Sequence, residues 1–148
     1  GDVSTAGRYL GYPFTVEGLV VHGEGRGRNI GFPTANLEVS SNILLPGNGV
    51  YATWAHLENN LQRWKSATNI GVNPTFGEGR RTVESFLIGY EGDLYDQHIR
   101  LEFAERLRDE RRFDSVETLT GQIKEDVRRA VGVLERTEEA GGSSSLPS

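Results

Sequence analysis

Five short runs of strand chemistry, separated by glycine and proline and with no helical period between them, restrict the folds open to this chain. Phe14 to His22 (FTVEGLVVH) is β-branched and apolar. Val50 to Leu57 (VYATWAHL) and Trp64 to Ile70 (WKSATNI) flank a polar turn containing Asn59-Asn60, the pattern of a hairpin. Val83 to Tyr90 (VESFLIGY) and His98 to Phe103 (HIRLEF) flank Glu91-Gly92-Asp93, which predicts a second hairpin. Pro46-Gly47-Asn48-Gly49, Asn73-Pro74 and Gly77-Glu78-Gly79 punctuate the gaps. Parallel strands need long, usually helical crossovers, so this succession favours an antiparallel barrel or sandwich.

The period changes after Arg112. Val116, Leu119, Ile123, Val127, Val131 and Leu134 recur every three or four residues and form one apolar helical stripe. Asp114 is expected to cap this helix, with Glu117 three residues on completing a variant capping box. Such a stripe predicts a helix lying against the β structure. The end of the chain, from Ala140 into GGSSSLPS, has linker composition and is expected to be disordered.

Composition removes several functional classes. A chain of 148 residues makes one domain, burying about two-thirds of its unfolded surface. With 36% apolar and 25% charged residues it is too apolar to stay unfolded. A formal charge of −5 argues against a general nucleic-acid binder but leaves room for a local basic pocket. The lack of cysteine excludes disulfides and thiolate metal sites, and His22, His56 and His98 are too scattered for a zinc site. No apolar run reaches the roughly 18 residues of a membrane span and no signal peptide is visible, so the expected location is the cytosol.

Chemistry concentrates in residues 23–36, GEGRGRNIGFPTAN. Gly23, Gly25 and Gly27 let backbone amides converge on one point, and Arg26 and Arg28 can add charge-assisted bonds to the same anion. A plain turn between strands fits the glycines equally well. The known phosphate loops fail here. A P-loop needs Gly-Lys-Ser/Thr opening a helix, and Arg28 stands where a dinucleotide fingerprint needs its third glycine. Protein-kinase catalytic motifs are absent too.

In the extended Pro33-Thr34-Ala35-Asn36 segment, Thr34 and Asn36 point to one side. A hydroxyl and an amide oxygen are hard, neutral donors of the kind magnesium accepts beside nucleotide phosphates. Two such residues also suit a turn whose backbone they satisfy. Glu84 shares its parity with Phe86 and Ile88, and a carboxylate on a partly apolar face is a candidate general base. The alternative is a strand-entrance glutamate that meets solvent, Arg80 or Arg81.

Taken together, GRGRNIGFPTANL, GVYA, NIGVNPTFG, VESFLIGYEGDLY and RLEFAERLRDERRFDS follow the order found in riboflavin kinase domains. From about Phe14 to Leu134 the chain resembles the C-terminal half of bacterial bifunctional riboflavin kinase/FMN adenylyltransferases. The resemblance implies a six-stranded antiparallel Greek-key barrel with a long C-terminal helix. It implies ATP-dependent, magnesium-assisted phosphorylation of riboflavin to FMN, with ADP released. On that likeness the nucleotide is held by Gly23, Gly25, Arg26, Gly27, Arg28, Thr34 and Asn36, of which Thr34 and Asn36 also hold the metal. Glu84 is the base, and Arg108, Glu110, Arg111 and Phe113 border the flavin.

Gly7 to Phe14 (GRYLGYPF) resembles the segment that joins the two halves of bifunctional members, so a joining segment over 1–13 and an excised domain over 14–139 are expected, with an adenylyltransferase as covalent partner. A barrel that binds flavin without catalysis is the alternative reading. Two departures stand out. Asp96 occupies a turn position where the family commonly has glycine, and Arg112 stands where lysine is frequent.

Overall fold

The structure, a computed structural model, describes residues 14–21, 34–39, 44–58, 62–72, 81–91, 94, 96–111 and 114–144. Their elements are β1 (Phe14–Val21), β2 (Ala35–Glu38), β3 (Gly49–Leu57), β4 (Arg63–Val72), β5 (Arg81–Leu87), β6 (His98–Arg108) and the helix α1 (Val116–Ser144). The strands close into an antiparallel barrel in the order β1-β2-β5-β4-β3-β6. The β3–β4 hairpin forms as its sequence predicts, with Ala52 opposite Ala67 and Trp54 opposite Lys65.

The second predicted hairpin does not form. β5 pairs with β2 and β4, whereas β6 pairs with β1 and β3. β5 ends at Leu87 and β6 begins at His98, a separation far longer than the few residues of a hairpin loop. Neighbours in sequence are therefore not neighbours in the sheet here, the signature of a Greek key.

Strands β3, β4 and β6 alternate between two cores, whereas β1, β2 and β5 turn one face to the barrel interior only. Val16, Val20, Leu37, Tyr51, Leu57, Ile70, Val83, Ile99, Leu101 and Phe103 fill the barrel interior. Tyr51 and Phe14 both meet the Phe103 ring edge to face, at 5.2 and 6.1 Å between centroids. Eight strands leave an interior just wide enough for side chains, and six leave less. Hydroxyls accordingly fill the middle: Thr53 Oγ1 lies 2.6 Å from Ser66 Oγ and 2.8 Å from Thr68 Oγ1. Thr68 donates in turn to Ser85 Oγ at 3.0 Å, and all four residues are fully buried. The chain of bonds joins β3, β4 and β5 and leaves none of these hydroxyls unpaired.

The second core lies outside, where Val50, Ala52, Trp54 and Leu107 meet Ala130, Val133 and Leu134 of α1. Two bulges in β6 serve it. The register with β3 skips Ala104 and Leu107, and both extra residues turn toward the helix. Losing a side chain enclosed as Leu134 is costs about 2–5 kcal/mol. Trp54 is covered from the far side by the Arg63 guanidinium, 3.8 Å from its ring centroid.

The helix departs from its sequence pattern in three ways. Ser115 caps it instead of Asp114: its Oγ accepts from Thr118 N at 3.1 Å, and its carbonyl accepts from Leu119 N. Val116, first of the predicted stripe, is exposed, and the buried face holds Asp126 beside Ala130, Val133 and Leu134. α1 also continues to Ser144, into the segment expected to be loose, because extending a formed helix adds a hydrogen bond per residue.

Asp96 has φ of +66°, the left-handed region, and its amide donates to the Val20 carbonyl. That conformation explains why glycine suits the position, and aspartate tolerates it better than most residues. Asp96→Gly should match or exceed wild-type stability in urea unfolding, whereas Asp96→Val should lose about 1–2 kcal/mol.

Candidate functional site

Cross-strand register gathers the polar residues of three strands into one row. Asn36 of β2 stands directly opposite Glu84 of β5, and Glu84 stands opposite Asn69 of β4. The row starts at Val21 in β1 and continues past Asn69 to Val50 in β3 and Arg108 in β6. Residues directly opposite each other share a face of the sheet. Val83 and Leu87 point into the interior and Val50 packs under α1, so the whole row faces outward. Thr34 immediately precedes β2 with the parity of Asn36, and both are half-buried, as is Glu84.

Asn69 is the member that sequence reading missed. Its Oδ1 is buried and has no hydrogen-bond partner. A buried acceptor without a donor is a cost that folds usually avoid. Parity alone put Asn69 on the outer face, but only the register sets it beside Glu84.

At the β6 end, Arg108 forms a two-pronged pair with Asp126 of α1. Its Nε and Nη2 donate to the two carboxylate oxygens at 2.8 and 2.7 Å. Gln122 Nε2 adds a third bond to Asp126 at 3.0 Å, and Arg108 Nη1 donates to the Asp109 carbonyl. The side chains are 15% and 6% exposed, the most enclosed ion pair among the described residues. Arg108 therefore fastens strand to helix here.

Glu110 is exposed, and its carboxylate lies against Gly71 of β4, in the place that a Cβ there would take. Gly71 is two residues from Asn69 and shares its face. Arg111 is exposed. Gly23, Gly25, Arg26, Gly27, Arg28 and Phe113, together with Arg112, lie outside the described residues.

Arginines also organise the rim. Arg81 Nε donates to Asn48 Oδ1 at 2.9 Å and its Nη2 bonds the Pro46 carbonyl. Arg106 Nη2 bonds the Asn48 carbonyl and, at 2.6 Å, the Asp109 carboxylate. The Asp109 hydrogen bond raises the Arg106 guanidinium above its ordinary range. Tyr51 OH donates to the Gly47 carbonyl at 2.7 Å. Segment 46–49 is thus tied to β3, β5 and β6 at once. His56 and His98 pair with Glu102 and Glu17 on the outer surface, away from this row.

Known proteins give this geometry its context. A family model described as Flavokinase: Riboflavin kinase matches residues 10–134. The bifunctional riboflavin kinase/FMN adenylyltransferase of Bacillus subtilis is 40% identical over 134 residues, spanning 88% of this chain and 42% of that relative. Its counterpart in Pseudomonas fluorescens is 39% identical over 130 residues, spanning 87% and 41%. The chain thus covers about two-fifths of the length of these relatives. A crystal structure of riboflavin kinase from Trypanosoma brucei superposes with a TM-score of 0.66 at 25% identity, covering 85% of this chain and 79% of that one.

Because Asn69 buries an unpaired acceptor, its removal should cost the fold nothing. Asn69→Leu, close in volume, should unfold in urea at the wild-type free energy or up to about 1 kcal/mol above it.

Proposed function

The chain belongs to the riboflavin kinase family, and we propose on that basis that it transfers the γ-phosphoryl group of ATP to the 5′-hydroxyl of riboflavin, giving FMN and ADP. The observation that carries the reading is the direct opposition of Asn36 and Glu84 across the β2–β5 ladder. Strands distant in sequence meet there to set a carboxylate beside two neutral oxygen donors on one outward face.

In this reading Glu84 accepts the proton of the ribityl hydroxyl as that oxygen attacks the γ-phosphorus. The bond from phosphorus to the β,γ-bridging oxygen breaks, and ADP leaves with the bond's electron pair. Positioning and charge neutralisation supply most of the acceleration in such transfers, with base catalysis adding about 10²–10⁴-fold. Residues 108–111 approach the same face from β6 and would border the acceptor.

The donors suit magnesium. Thr34 and Asn36 offer two uncharged oxygens, and no cluster of three or more His, Asp or Glu able to cage a metal exists among the described residues. A cation held there would take its remaining ligands from phosphate and water, as magnesium prefers. Bound magnesium would supply neutralisation of phosphate charge.

The proposal extends to Gly23, Gly25, Arg26, Gly27 and Arg28 as phosphate-cradling residues, to Phe113 as a flavin neighbour, and to an adenylyltransferase as a covalent partner. No helix among the described residues is long and apolar enough to cross a membrane, and a cytoplasmic location is part of the proposal.

Incubation with riboflavin, ATP and magnesium, followed by chromatographic separation of FMN, tests the activity; absence of FMN overturns it. Glu84→Gln should keep Mg-ATP affinity while turnover falls about 10²–10⁴-fold. Unchanged turnover would remove Glu84 from the reaction. Thr34→Ala and Asn36→Ala should each weaken Mg-ATP in calorimetric titration, and wild-type affinity in both would refute the metal assignment.

A further inference from the structure

We propose that Asp126 is a positioning residue for the acceptor substrate: through Arg108 it holds residues 109–111 across the barrel's outer face, with Glu110 seated on Gly71. The inference rests on the riboflavin kinase reading and extends it to residues of α1 and β4.

Three observations converge. The first is the enclosure of the Arg108–Asp126 pair, with both carboxylate oxygens bonded and Gln122 adding a third donor. Desolvation offsets most of what such a pair gains, and an apolar replacement of equal volume often serves stability as well. What the two-pronged bond adds is orientation: it fixes the direction in which the chain leaves β6.

The second is the path that follows. β3 lies between β6 and β4 in the barrel order, so a segment that leaves β6 at Arg108 and touches Gly71 spans β3. Arg106 holds Asp109 by its carboxylate, adding a second tether at the start of that path.

The third is the seat. The Glu110 carboxylate lies where a Cβ at Gly71 would fall, so an alanine there would turn this exposed side chain off its place. Two residues along that face stands Asn69, directly opposite Glu84. The held segment therefore ends one strand away from the candidate base, where an acceptor hydroxyl has to arrive. Asp126 touches neither substrate in this arrangement. It acts at the far end of a lever whose near end borders the flavin.

The test compares wild type with Asp126→Asn, which removes charge at constant size, and with Gly71→Ala, which disturbs the seat and leaves the pair intact. Both should raise the riboflavin KM, Asp126→Asn by about tenfold, with the Mg-ATP KM within about twofold of wild type. Asp126→Glu should recover part of the loss. Equal rises in both KM values, a fall in kcat alone, or a wild-type riboflavin KM in either variant would overturn the proposal.

Hydrogen exchange of the peptide covering 109–111 in the substrate-free protein gives a readout independent of turnover. It should be faster in Asp126→Asn, and unchanged exchange refutes the positioning role. If wild type makes no FMN, the functional reading fails, and exchange still decides whether Asp126 holds the segment. If Asp126→Asn does not fold, Asp126→Glu, which keeps the charge but displaces the carboxylate, decides by the same two measurements: wild-type riboflavin KM and wild-type exchange overturn the proposal.

Discussion

Closure of a six-stranded sheet leaves an interior too narrow for anything but its own side chains. Tyr51, Phe103 and the aliphatic residues fill its wider parts, and four short hydroxyl residues bond one another across the middle. A ligand has no place within. Among the strand residues, those free to bind or react project from the outer surface, and period-two alternation decides which they are. Val83, Ser85 and Leu87 turn inward, which is why Glu84 turns out.

The outer surface is then divided by α1. The helix packs on β3, β4 and β6, so its apolar face claims that sector and leaves β2 and β5 outside it. Asn36 and Glu84 stand on the uncovered sector. Asn69 and Gly71 lie at the border, and the Arg108–Asp126 pair marks where covered surface ends. The charged pair closes a seam between strand and helix that apolar contact alone would leave free to slide. Segment 46–49 is fastened on the rim by carbonyl bonds from Arg81 and Arg106. The polar groups thus set angles and edges, while apolar burial supplies most of the folding free energy.

Local chemistry was legible in the sequence and long-range pairing was not. The β3–β4 hairpin is read correctly because its strands adjoin and its turn residues are explicit. The same logic fails for β5 and β6, since nothing in VESFLIGY or HIRLEF says that the partner lies elsewhere. Parity and family likeness single out Thr34, Asn36 and Glu84, yet the opposition of Asn36 and Glu84 depends on a register that no single strand encodes. Asn69 stayed hidden inside a strand pattern for that reason. Asp126 stayed hidden because a carboxylate interrupts the apolar stripe and reads as solvent-facing until Arg108 is seen beside it. Ser115 and Asp114 are both good caps, and only the helix start distinguishes them.

β2 has four residues and is the shortest strand of the barrel, flanked by β1 and β5. So brief a ladder is easier to peel away than the nine to eleven residues of β3, β4 and β6. Detaching it would carry Asn36 off Glu84 while the hydroxyl chain between β3, β4 and β5 stayed intact. On the proposed reading, catalytic competence and global denaturation are then separate thresholds. On that reading, warming would silence the molecule while most of its amides stayed protected, and cooling would restore it without refolding.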